Sequence, residues 1–274
     1  MTPKLLHIFR NTPMGRETFL QSLYFCEQLA LDIDVYIPKQ KRFLMYFDQQ
    51  VVQIDLDQSY LFAPQTAREH AEALLTKKQL SYHFLHPTEQ TASTLPDIPT
   101  AYTFMCLPRS VSDITSKIGL GLIGPKVRNI LRSAHFPVLI PSTVLKKWKN
   151  ITVFFGGSLN AINALKVGMA LSVSTQKPLT IFTQADGKNL DEYKTLVDQA
   201  GLQEDLTACA ATWAFFEDND LETNLYAVPH DALVIVGAYG HGRIKTVMFG
   251  SKMELLQSTL PNNFLIVGPG YTSE

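Results

Sequence analysis

The feature that most constrains this chain is that it repeats itself. Shifted by 126 positions (249 − 123), Ile123-Gly-Pro-Lys126 lies over Phe249-Gly-Ser-Lys252, and each precedes a stretch that reads as a helix. The same shift lays Val138-Leu-Ile140 over Phe264-Leu-Ile266. At the other end, a shift of 146 (151 − 5) lays residues 5–12 over residues 151–158. Two copies of one unit therefore account for the 274 residues better than one long domain does. The difference between the shifts, 146 − 126, leaves about twenty additional residues in the first copy, most simply placed around 39–60 and 87–100.

Each copy alternates strand and helix patterns. In the first, residues 5–9, 34–37, 81–85, 101–107 and 137–140 read as strands, with helices over 16–29, 64–78 and 126–134. Residues 42–47 and 51–55 suit two further short strands. The basic tract 146–149 reads as a linker, and the order then restarts. Strands are expected at 151–155, 179–182, 207–213, 232–236 and 263–267, with helices over 160–174, 190–200, 221–228 and 252–260. Alternation of this kind implies parallel sheets with helical crossovers. Ligands of such sheets sit beyond the carboxyl ends of the strands.

Several function classes find no support. Net charge is −1 with 18% charged residues, so no broad basic face offers itself to nucleic acid. No apolar run approaches membrane-spanning length, and the N-terminal apolar core is too short for a signal peptide. Cys26, Cys106 and Cys209 are far apart, without CxxC spacing, and read as buried reduced thiols. A cytoplasmic protein is the expectation. His83 and His86 fall on opposite faces of a strand and make poor co-ligands, and the seven histidines form no metal pattern. No Ser-His-Asp or Cys-His arrangement has supporting context. Gly119-Leu-Gly-Leu-Ile-Gly124 matches GxGxxG, but does not directly follow a strand and lacks a suitably placed acidic residue downstream. The acidic run 217–220 precedes a helix, where capping explains it.

The stretch with a chemical reading is Gly237-Ala-Tyr-Gly240, continuing through Gly242 and Arg243 to Gly250-Ser251-Lys252. It joins the apolar run ending at Val236 to a helix. Glycines let backbone approach a phosphate, and the free N–H groups of a helix start attract an anion. The Ser251 hydroxyl can donate to the same oxygens. Arg243 and Lys245 read equally well as phosphate partners or solvated loop cations, and Lys252 has a counterpart in Lys126.

The spacing of Gly237, Gly240, Gly250 and Ser251 resembles the G-2x-G-9x-G-[S/T] signature of ATP-binding universal stress proteins. The resemblance covers the second half well and the first as a worn copy. It implies two tandem open parallel-sheet α/β domains of the adenine nucleotide alpha hydrolase-like type, at 1–143 and 149–274, forming an intramolecular pseudo-dimer. It also implies that the last strands of the two halves meet. The implied ligand is ATP, with Mg as its counter-ion, or a related nucleotide. By position the site would comprise Phe155, Gly156, Ser158, Thr183, Val236, Gly237, Gly240, Gly242, Arg243, Gly250, Ser251 and Lys252. At most slow ATP hydrolysis is implied, since no residue reads as a dedicated general base. A homodimer is a further expectation.

The departures are specific. The family's first strand usually ends in an aspartate that meets the nucleotide, and this position holds Gly156. The corresponding first-half position holds Arg10. There the residues aligned with Gly237 and Gly240 at the shift of 126 are Val111 and Ile114, and Pro125 replaces the serine. Three classes follow: a regulatory stress-response protein binding nucleotide in its second half, a ligand-free scaffold or interaction protein of the same fold, and an adenylyl- or phosphoryl-transfer enzyme, for which the expected motifs are missing.

Overall fold

A computed structural model describes residues 2–48, 50–87, 94–111, 122–218, 220–239 and 251–272. Its contacts divide the chain into Met1–Leu145 and Lys146–Glu274.

The first unit is built on β1 (Lys4–Ile8), α1 (Pro13–Leu29) and β2 (Asp32–Tyr36). The hairpin β3 (Arg42–Phe47) and β4 (Gln50–Asp55) follows, with a 3-10 turn at Gln58–Leu61 and α2 (Pro64–Lys78). Then come β5 (Tyr82–Phe84), β6 (Asp97–Ile98), β7 (Phe104–Cys106), α3 (Pro125–Ser133) and β8 (Val138–Ile140). The main sheet has the order β8-β7-β1-β2-β5 and is parallel throughout. The hairpin pairs with β6 in a separate three-stranded sheet, so the additional residues of this copy form a small structure of their own.

The second unit is plainer. Its elements are β9 (Asn150–Phe154), α4 (Leu159–Thr175), β10 (Leu179–Gln184), α5 (Leu190–Gln199) and α6 (Gln203–Ala208). They continue with β11 (Thr212–Phe216), α7 (Leu221–Asn224), β12 (Ala232–Gly237), α8 (Ser251–Thr259) and β13 (Asn263–Val267). The sheet order, β11-β10-β9-β12-β13, matches that of the first unit, and all its pairs are parallel. β12 and β13 are buried along nearly their whole length, as a parallel sheet covered on both faces requires.

The repeat extends to the helix caps. Thr12 caps α1 by accepting from the Gly15 N–H at 3.0 Å, and Ser158 caps α4 by accepting from the Ala161 N–H at 3.2 Å. Both pairs are related by the shift of 146 (158 − 12 and 161 − 15). Such a side-chain cap is worth ~1 kcal/mol, and here it also fixes where each helix starts after its strand.

Two expectations need correction. The strand anticipated at 207–213 begins only at Thr212, because residues 203–208 form α6. Glu204 and Asp205 in its first turn suit the positive end of a helix, and Ala210, at φ 48°, turns the chain toward β11. The tract 146–149 is not a loose linker. Trp148 is 1% exposed, with the Lys177 ammonium 4.7 Å from its ring centroid. Lys146 donates to the Pro261 carbonyl, and its own carbonyl accepts from the Asn263 amide at 2.9 Å.

Candidate functional site

In the order β11-β10-β9-β12-β13, β9 connects onward to β10 on one side, while β12 connects to β13 on the other. The crevice beyond the carboxyl ends of β9 and β12 is therefore the switch point of the sheet, where open α/β sheets take ligands. Phe154 stands opposite Val236 in the register, so the 156–158 turn and Gly237 emerge side by side.

Gly156 is exposed, and a Cβ built on it meets nothing within 4 Å. Gly157 has φ +75°, and a Cβ there would approach Leu196 Cδ1 at 2.7 Å and the Tyr193 ring at 3.6 Å. Ser158 spends one lone pair on the Ala161 N–H and keeps its own proton to donate. Gly237 answers to a different constraint. A Cβ on it would fall on the Asn160 carbonyl and the Ala161 nitrogen, so the glycine lets β12 pass directly beneath the first turn of α4. The Asn160 amide, on a buried side chain, donates to the Ala238 carbonyl and clamps the same approach.

Phe155 and Thr183 are core residues. Phe155 is 2% exposed, and its ring lies edge-on to Trp213 (centroids 5.8 Å apart) and to Tyr193 (6.2 Å). The buried Thr183 hydroxyl donates to the Phe155 carbonyl at 2.9 Å and accepts from Trp213 Nε1 at 3.0 Å. That pairing uses its proton and holds the end of β9 against β10. Val236 is buried in the middle of the sheet. Ser251 and Lys252 begin α8, a helix of nine residues. Gly240, Gly242, Arg243, Lys245 and Gly250 lie outside the described residues, as does His241.

Sequence reasoning did not single out Asn160, Trp213, Tyr239 or Lys188. Tyr239 takes a left-handed backbone, φ 61°, just after β12, a conformation that usually goes to glycine. Lys188 stands 5.8 Å from the centroid of the Tyr193 ring, which also borders Gly157. It brings a cation to that side of the turn. Among the described residues, no group of three or more His, Cys, Asp and Glu is placed to hold a metal ion, and no helix is long and apolar enough to cross a membrane.

The same crevice in the first unit differs. There Leu5 faces Phe104, whereas in the second unit Ile151 faces Leu233. With β1 and β9 related by 146, β7 and β12 are related by 129 (233 − 104). Pro108 and Val111, not Val111 and Ile114, are therefore the counterparts of Gly237 and Gly240. The β7–α3 loop is three residues longer than its equivalent (129 − 126), which displaces an alignment anchored at the helix.

Arg10 replaces Gly156, and the buried His7 behind it bonds through Nδ1 to the Ser22 hydroxyl at 2.8 Å. Burial lowers the His7 pKa to about 3, so the ring is neutral. Burial also pushes the Cys106 thiol up to about 12, against the lowering influence of its hydrogen bond with Ser22. This His-Ser-Cys set has no activated nucleophile.

No protein-family model and no curated protein sequence matches the chain. Solved structures do. A universal stress protein from Archaeoglobus fulgidus DSM 4304 is similar over 97% of this chain and 98% of its own, with a TM-score of 0.61 at 15% identity. A candidate universal stress protein from Pseudomonas aeruginosa UCBPP-PA14 is similar over 98% and 94%, with a TM-score of 0.54 at 10% identity. The cytoplasmic domain of a prokaryotic cation chloride cotransporter is similar over 99% and 98%, with a TM-score of 0.51 at 10% identity. The chain has the mixed α/β fold of the universal stress proteins along nearly its whole length.

Proposed function

We propose, from the universal stress protein fold that this chain shares, that it is a stress-response or regulatory protein whose second unit binds ATP or a related adenine nucleotide, with little or no catalysis. The observation that carries the proposal is the switch point. The Gly156-Gly157 turn and the Gly237 end of β12 emerge there side by side, beside the Ser158-capped start of α4 and on a face that the Gly156 backbone leaves open. Of the glycine-spaced stretch, Gly237 closes β12 at this place and Ser251 opens α8, which by resemblance brings its first turn to the same crevice. The phosphate end of a nucleotide is suited by the N–H groups at the start of α8 and by the Ser158 and Ser251 hydroxyls. Gly240, Gly242, Gly250 and Arg243 join them by resemblance, with Lys252 beside Ser251. Mg would accompany the phosphates as their counter-ion.

The nucleoside end is less provided for. Gly156 offers no carboxylate, Thr183 is engaged with Phe155 and Trp213, and Phe155 belongs to the core. Backbone groups around Phe155 and Val236 would have to serve, so affinity should be modest. A calorimetric titration with ATP tests the reading. Binding that Gly250→Val and Ser251→Ala weaken supports it. No heat at millimolar ATP, or equal binding by the variants, refutes it.

A ligand-free interaction module is the second reading. The missing carboxylate favours it, and the same fold serves as the cytoplasmic domain of a cotransporter in another protein. Native mass spectrometry of freshly purified protein separates the two, since a co-purified nucleotide excludes the second.

A further inference from the structure

The first unit has a crevice equivalent to the one just described, at the carboxyl ends of β1 and β7, and the chain itself lies across it. Asp57, Ser59 and Tyr60 follow directly on the β3–β4 hairpin, the part that the second unit lacks. Arg10, the counterpart of Gly156, donates from Nε to the Ser59 hydroxyl at 2.5 Å and places Nη2 3.4 Å from Asp57 Oδ2. Its guanidinium carbon lies 5.3 Å from the centroid of the Tyr60 ring, which is 2% exposed. The Ser59 hydroxyl donates in turn to Asp57 Oδ1, which also accepts the Ser59 N–H at 2.7 Å. On the other side, the Asp57 N–H donates to the carbonyl of Val111 at 3.1 Å, and Val111 is the counterpart of Gly240. This one turn therefore contacts both positions that a ligand of the second unit would meet.

Both side chains of the ion pair are mostly withdrawn from solvent, at 17% and 13% exposure, so solvent screens it less than it would a surface pair. What remains of the crevice, between His7, Arg10, Thr18, Tyr60 and Pro108, has room for about one water molecule.

We infer that the 3-10 turn Gln58–Leu61, latched by Arg10 onto Asp57 and Ser59, is a built-in occupant of the first unit's ligand crevice, so that a chain with two equivalent crevices offers only one to ligand. The equivalence of the crevices rests on the function proposed for the second unit, but the latch itself does not. Arg10 and the turn that follows the hairpin depend on each other, since Asp57 balances the guanidinium and Arg10 anchors the turn.

Amide hydrogen exchange on the full chain tests this without nucleotide. In the wild type the amides of Asp57 and Ser59 should be protected. Arg10→Ala, and the milder Asp57→Asn, which keeps a capping side chain, should each speed their exchange at least tenfold while β1, β9 and β12 stay protected. Unchanged exchange in both variants, or loss of protection throughout the first unit in both, overturns the latch. A second arm adds ATP to the wild type. Exchange over 57–61 should not change, and slowing there would mean that the first crevice accepts ligand, which also overturns the proposal. If the second unit proves not to bind ATP, only the function proposed above fails, since the first arm is measured without nucleotide.

Discussion

Gly156 and Gly237 border the same crevice, yet a methyl group added to each should have opposite consequences. At Gly237 the new Cβ overlaps three backbone atoms, the Asn160 carbonyl oxygen and carbon and the Ala161 nitrogen. No rotamer change relieves a clash with backbone, so either α4 or the end of β12 must move, and the Asn160 clamp onto Ala238 moves with it. Overpacking of a tight core costs about 1–3 kcal/mol, and a collision with fixed backbone belongs at about 3 kcal/mol. In a unit of this size that lowers Tm by roughly 10 °C. At Gly156 the Cβ meets nothing, and the expected change is within about 0.5 kcal/mol. Thermal and urea unfolding of Gly237→Ala and Gly156→Ala decide the matter. Equal melting of the two variants, or a Gly237→Ala protein within about 2 °C of wild type, would refute the packing argument and return Gly237 to a purely ligand-facing role.

Three other outcomes follow from the same geometry. Burial holds the folded His7 pKa at about 3, below the unfolded value of about 6.5, so the unfolded chain takes up the proton first as pH falls. Stability is then lost below pH 6.5, by about 2 kcal/mol at pH 5, and His7→Gln should flatten that acid limb; parallel pH–stability curves would contradict the assignment. Gly156→Asp supplies the carboxylate that the resemblance to universal stress proteins implies, where space exists, and should tighten ATP roughly 10- to 100-fold in calorimetry without changing Tm. Thr12→Ala and Ser158→Ala each remove a helix cap worth about 1 kcal/mol, but only Ser158→Ala should also weaken ATP; an equal effect on binding would locate the site elsewhere.

The repeat was legible because what it preserves is local. Strand runs, the Thr12 and Ser158 caps, and the Gly-Pro-Lys and Gly-Ser-Lys helix starts are all readable within a few residues. The errors arose where partners are distant. The register of β7 against β1 is set by pairing across the sheet, and only that pairing exposed the three-residue difference that assigns Pro108 to Gly237. Trp148 sits among lysines in the sequence, and its burial depends on the second unit, with Lys177 over its ring.

The candidate site shows the same division. Glycine spacing pointed to the carboxyl edge of the second unit's sheet, yet spacing alone does not separate a glycine needed for a ligand from one needed for a helix. Gly237 is explained by Asn160, 77 positions away (237 − 160), whereas Gly156 has no such explanation. Thr183 shared the strand-end position of a ligand contact, but its hydroxyl is committed to residues 28 and 30 positions distant. The occupant of the first crevice was equally hidden, since Arg10 and Ser59 meet only after the hairpin has folded.

The central claim is that one crevice, at the ends of β9 and β12, holds the nucleotide. Photo-crosslinking the intact protein with 8-azido-ATP, followed by peptide mapping, tests it most directly. The account predicts label confined to peptides covering residues 155–160 and 236–252, competed by unlabelled ATP and lost in Gly250→Val. Label on first-unit peptides around Arg10 or Tyr60, or label that ATP does not compete, would contradict it.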